Sequence, residues 1–159
     1  MKRLPLPIWA RLGLAALVAT LVFAPSAMAV GPTSANGGGR GTVDGTTPFS
    51  QFGFSVTRAA DGTVRGSFNC LMAGASQFPG FTLMAVRGQI TDAEIGENAA
   101  SFEGVGMLQT GNLGKSDATF HVEITEGGPG VGTLRLTLLT PFVFELPVEH
   151  VLNGQISID

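Results

Sequence analysis

FGFSVTRAADGTVRGSFNCLM, Phe52 to Met72, decides the reading of this chain. Two alternating runs flank a turn signal at Ala60-Asp61-Gly62. The first sets Phe52, Phe54 and Val56 against Gly53, Ser55 and Thr57. The second sets Val64, Gly66, Phe68, Cys70 and Met72 against Thr63, Arg65, Ser67, Asn69 and Leu71. Successive side chains of a strand point to opposite faces, so period two over such lengths marks half-buried strands. The pair is predicted to place Phe52, Phe54, Val64, Phe68 and Cys70 on one buried face.

Outward from this hairpin the pattern repeats. Upstream, Arg40 to Val43 reads as a short strand and Asp44 to Pro48 as a turn. Downstream, Ala73 to Gly80 is a loop. Phe81 to Thr91 is a strand with apolar residues on both faces, hence covered on both sides or bulged near Gly88, and Asp92 to Ala100 is a polar connection. Ser101 to Thr110, Ala118 to Thr125 and Thr133 to Thr140 alternate as strands. Gly111 to Asp117 and the cluster EGGPGVG, Glu126 to Gly132, separate them as turns. Phe142 to Leu146, caught between Pro141 and Pro147, is an edge segment or buried loop. Glu149 to Leu152 and Gln155 to Asp159 are two short strands, with Asn153-Gly154 as the hairpin turn between them.

These elements make an all-β chain of seven to nine antiparallel strands. Glycines inside strands, at positions 53, 66, 88, 104 and 106, mark bends or close backbone approach. They favour strong curvature, hence a small barrel or a barrel-like sandwich.

The N-terminus reads differently. Lys2, Arg3 and Arg11 precede an uncharged, largely apolar run of about 13 residues, Leu12 to Ala24, followed by Pro25 and Ala27-Met28-Ala29. This is the pattern of a secretory signal peptide cut after Ala29, and the run is short of the roughly 20 residues a spanning helix needs. Residues 30–39, VGPTSANGGG, read as a flexible Gly-rich leader, and 40–159 as a single antiparallel β domain. The expected location is secreted or periplasmic, with no membrane span in the mature chain.

Removing 29 of 159 residues leaves 130, which carry six basic and twelve acidic side chains, a net charge of −6. No basic cluster is present, which argues against nucleic acid and anionic membrane surfaces as partners. The single Trp, Trp9, lies in the signal segment and Tyr is absent, so sugar- and protein-binding surfaces built on those residues are missing. Cys70 is the one cysteine, so no intramolecular disulfide forms; its place between Phe68 and Met72 reads as a buried small hydrophobe, and an exposed Cys70 would instead point to an intermolecular disulfide.

Gly37-Gly38-Gly39 after the small-residue leader, FGF at Phe52 to Phe54 and NCL at Asn69 to Leu71 form one part of a further pattern. The late Gly turn before Leu134-x-Leu136 and the closing NGQI at Asn153 to Ile156 form the other. In these motifs the chain resembles the exported bacterial β-domains related to the post-COAP type, over most of the mature sequence. It departs from them at Thr133, where Asp often follows the late Gly turn. The resemblance implies a secreted β-domain and no catalytic residue.

No catalytic set is assigned, and no cofactor is expected. GNLGKS, Gly111 to Ser116, echoes a phosphate-binding loop but has Gln109 where the first Gly belongs and a strand where the helix belongs. His121 and His150 stand in no metal spacing, and no nucleophile elbow appears. Asp92, Glu94, Glu97 and Asn98 supply oxygen ligands of the kind Ca²⁺ takes, without EF-hand order; a solvated acidic loop is the plainer reading. Glu103 and Glu123 would make the carboxylate pair of a glycosidase if they faced each other; outward strand glutamates are ordinary surface residues, and the absence of Trp and Tyr weakens a sugar cleft. The sequence therefore favours a non-catalytic structural or interaction module at the cell surface or in the periplasm, and leaves its partner unknown, with a cell-surface protein and a small apolar ligand as the candidates. A small barrel holding an apolar ligand among its Phe and Met side chains comes second, and a secreted hydrolase or cyclase last.

Overall fold

The computed structural model describes residues 33–73, 83–111 and 114–159. They form nine strands: β1 (Thr33–Thr42), β2 (Ser50–Arg58), β3 (Val64–Ala73), β4 (Leu83–Ile95), β5 (Ala99–Thr110), β6 (Gly114–Thr125), β7 (Thr133–Thr140), β8 (Phe144–Glu145) and β9 (Glu149–Ile158). All pairings are antiparallel. Strands β1 to β6 form a continuous meander, β7 adds to β6, and β9 joins β7 back to β1, so the sheet closes into a ring. Strand β8 shares the outer edge of β7 with β9.

The opening hairpin forms in the predicted register, with Phe52 opposite Cys70, Phe54 opposite Phe68 and Val56 opposite Gly66. Phe52, Phe54, Phe68 and Cys70 are buried, and Val64, nearer the hairpin end, packs partly buried against them. Cys70 is a fully enclosed free thiol. The alternation in β5, β6 and β7 also holds: Phe102 and Leu108, Phe120, Val122 and Ile124, and Leu134, Leu136 and Leu138 all point inward.

The interior is filled by aromatic rings. Phe68 lies between Phe102 and Phe120, with ring centroids 5.8 and 5.2 Å away, and Phe54 meets Phe102 at 5.3 Å. Strand glycines make the room. The Phe120 ring lies over Gly88 and Gly104, and the Phe54 ring lies over Gly37, where a Cβ would collide with it. An eight-stranded ring encloses just enough space for side chains, and notches of this kind let four large rings share it.

Four expectations are corrected. The expected Gly-rich leader lies within the fold from Thr33 onward: Gly37, Gly38 and Gly39 sit inside β1, paired on one side with β2 and on the other with β9. The predicted hairpin turn at Asn153-Gly154 is absent, because β9 runs through it opposite Arg40 and Gly39 and bulges at Leu152. Gly154 has φ +101° and its Cα faces Gly39 so closely that a side chain would strike the β1 backbone. The polar connection 92–100 shrinks to residues 96–98, since β4 continues to Ile95 with Ala93 buried. The bulge in β4 falls at Thr91, between Ile90 and Asp92, and not at Gly88.

The expected signal segment lies outside the described residues. Among those described, no helix is long and apolar enough to cross a membrane.

Candidate functional site

Two groups of polar side chains stand out from the ring, one on its outer face and one inside.

The outer group follows from register. On β5, β6 and β7 the residues between the buried ones face outward, so Ser101, Glu123 and Arg135 form one cross-strand row and Glu103, His121 and Thr137 the next. Arg135 donates to Glu123 through Nε, and through Nη1 to Glu145 of β8 at 2.7 Å. The hydrogen bond and charge of Glu123 come first, and those of Glu145 add, in holding the guanidinium more firmly protonated. His121 Nδ1 lies 3.5 Å from Glu103 Oε1, a charge contact when the imidazole is protonated and too long for a good hydrogen bond. A groove of about 830 Å³, open to solvent, runs past Arg58, Glu94, Ser101, Glu123 and Arg135. A smaller one of about 240 Å³ adjoins it at Glu94 and Ser101 and reaches Asp92, Glu103 and His121.

This geometry separates the residues that the sequence grouped. Glu103 and Glu123 do not face each other: Glu103 stands opposite His121, and Glu123 stands between Ser101 and Arg135, with its carboxylate taken by the guanidinium. Of the calcium candidates, Asp92 and Glu94 project from exposed positions of β4, while Glu97 and Asn98 lie in the β4–β5 turn. Among the described residues no three of His, Cys, Asp and Glu gather as a metal-holding group. His150 is exposed on β9, far in register from His121. Gly114 to Ser116 begin β6, so no helix follows the GNLGKS stretch.

The inner group was not foreseen. Glu149, the first residue of β9, is 2% exposed and points into the ring. Its carboxylate crosses β1 above Gly41, where a Cβ would collide with Oε2, and accepts a hydrogen bond from the Ser50 hydroxyl on β2. Ser50 is itself 3% exposed. Burial pushes the Glu149 carboxyl up to about 7, against the smaller opposing pull of the Ser50 bond. Burial first, and then the Glu149 charge, push the Cys70 thiol on β3 far above its ordinary range. The thiol is therefore an inert core group. Above Gly41 the chain is tied off by Asp44, which accepts from the Thr42 hydroxyl at 3.0 Å and from the Thr46 and Thr47 amides at 2.8 and 2.7 Å. The two backbone bonds hold that carboxyl well below the usual range.

Chemically, the inner group is an acid that holds its proton to near neutrality with a hydroxyl beside it. No histidine is part of the cluster, so it is not a nucleophile–base pair of the Ser–His type. Its sequence signal is two-sided: Glu149 shares a strand face with Val151, but Val148 and Leu152 mark the other phase as apolar too, and only pairing with β1 settles it. Compared with models of known families, with curated proteins and with solved structures, the chain gives no match.

Proposed function

We propose that the protein is an exported, non-catalytic β-barrel that serves as a structural or interaction module at the cell surface or in the periplasm, after removal of residues 1–29. The observation that carries this reading is the filled interior. The rings of Phe54, Phe68, Phe102 and Phe120 contact one another along the ring's inside, where a ligand-carrying barrel keeps open space. Recognition is then the work of the outer face, and the groove beside Arg135 and Glu123 offers a fixed array of donors and acceptors there. The basic–apolar–small pattern of the first 29 residues and the resemblance to exported post-COAP-type domains support export.

The test is fractionation and cross-linking of the tagged full chain in a bacterial host. The expected result is a mature protein beginning at Val30, outside the cytoplasm, cross-linked to a protein partner. Arg135→Glu should weaken that cross-link. Cytoplasmic retention of the uncut chain would refute export. Extra non-covalent mass in native mass spectrometry would favour an apolar-ligand carrier over an interaction module.

A further inference from the structure

The buried acid sits at the weakest join of the ring. Strands β7 and β9 share two residue pairs, Thr133 with His150 and Leu134 with Glu149. Every other ladder around the ring has seven or more. Beyond those two pairs, β9 is held by residues 127–132 of the preceding turn. Val151 N–H donates to Gly132 O and Gly130 N–H to Val151 O, each at 2.8 Å, and Gly127 exchanges two bonds of 3.0 Å with Ile156. Glu149 thus lies at the start of β9, next to the seam.

Among the described residues no cation faces its carboxylate, and only the Ser50 hydroxyl offsets a negative charge there. From β1 the neighbour is Gly41, from β2 Ser50, and from β7 Leu134. Among the described residues Cys70 of β3 is the other titratable group within reach, and it stays a neutral thiol. Arg40 and His150, the basic residues closest along β1 and β9, are exposed, on the opposite strand phase from the buried Gly41 and Glu149. An ionised carboxylate in such a place needs water, and moving the first residues of β9 outward supplies it at the cost of the two pairs with β7, a few turn bonds and the Thr42–His150 and Gly41–Val151 pairs with β1.

We propose that the β7–β9 seam is a proton-controlled latch: the ring is shut while Glu149 is protonated, and the seam opens locally when Glu149 ionises, with the rest of the sheet still paired. The raised proton affinity of the carboxyl places the change near neutral pH. Opening bares two strand edges, the surfaces on which a further strand adds.

Residue-resolved amide exchange tests it, after division by the intrinsic rate at each pH. In the wild-type protein the opening constant at Val151 and Gly130 should rise about tenfold per pH unit between pH 5 and 7 and then level off. Amides of the β2–β3 ladder should show no such slope. Glu149→Gln should keep the seam shut at every pH. Ser50→Ala removes the donor to the ionised form and should move the transition to higher pH. A carbon-13 titration of the wild-type Glu149 carboxyl needs no variant and should give a midpoint near 7. A midpoint in the ordinary carboxylate range, a pH-independent seam, or β2–β3 amides opening in parallel with Val151 would overturn the latch.

Discussion

Gly41 matters for what it lacks. The Glu149 side chain reaches Ser50 by passing over it, and a single methyl group would collide with Oε2 and crowd the Glu149 Cβ. Gly41→Ala is expected to cost about 1–3 kcal/mol in urea unfolding at pH 6. In a Glu149→Ala background the same change should cost markedly less; equal cost in both backgrounds would mean the side chain does not cross there. Glu149 also sets a pH dependence. Its carboxyl titrates at about 4.5 when unfolded and about 7 when folded, so the folded chain holds the extra proton between those values. Stability from this group is full below the unfolded value, falls as pH rises, and is lower by about 3 kcal/mol once pH exceeds the folded value. The turn carboxyls of Asp44 and Asp61 are shifted the other way and act at more acid pH. Glu149→Gln should flatten the fall, leaving the variant more stable than wild type at pH 8; denaturant titrations from pH 4.5 to 8.5 would show it, and a wild-type curve that rises across that range would contradict it. Cys70 was legible in the sequence because Phe68 and Met72 fix its phase. Glu149 was not, because Val148-Glu149-His150-Val151-Leu152 offers an apolar residue in either phase, and only pairing with β1 decides between them.

At the scale of elements, β1 and β9 show where local composition misleads. Alone, Gly37-Gly38-Gly39 has the entropy of a linker, and Asn-Gly is a strong hairpin signal. In the ring each strand has partners on both sides. Gly37 stands between Phe54 and Ile156, and Gly38 between Gly53 and Gln155. Pairing and the Phe54 ring then outweigh propensity, as tertiary context does in sheets generally. The bulge at Leu152 and the positive φ of Gly154 let β9 pass through the same stretch without turning back. Two glycines on neighbouring strands give a matched test. A Cβ at Gly37 meets the Phe54 ring and Ile156, whereas Gly53 has open space around it. Gly37→Val is expected to lose at least about 2 kcal/mol, and Gly53→Val to be neutral or slightly stabilising, since Val suits a strand better than Gly. Thermal midpoints of the two variants decide it: similar losses would mean that the cost is backbone freedom and not the seat of the Phe54 ring.

For the whole molecule, the alternating runs told the chain's class and most of its strand phases, because one side of every strand had to be buried. The strand glycines favoured a small barrel or a barrel-like sandwich without deciding between them; the ring closes because β9 meets both β1 and the turn before β7, contacts between distant parts of the chain. Nor did the alternating runs decide between a hollow barrel and a packed one, because the same Phe residues suit both. The structure packs them. Phe68 is 2% exposed and touches both Phe102 and Phe120, so it stands at the middle of the aromatic column. Phe68→Ala is expected to cost about 3–5 kcal/mol, the loss of a buried ring plus the void it leaves. That void would be lined by Phe102, Phe120 and Phe54 and stay dry, the kind of cavity that takes up benzene. Benzene should therefore raise the thermal midpoint of Phe68→Ala and leave that of the wild type unchanged. If the wild type is stabilised to the same degree, the ring already holds open apolar space, and the ligand-carrying reading regains its ground over the filled core.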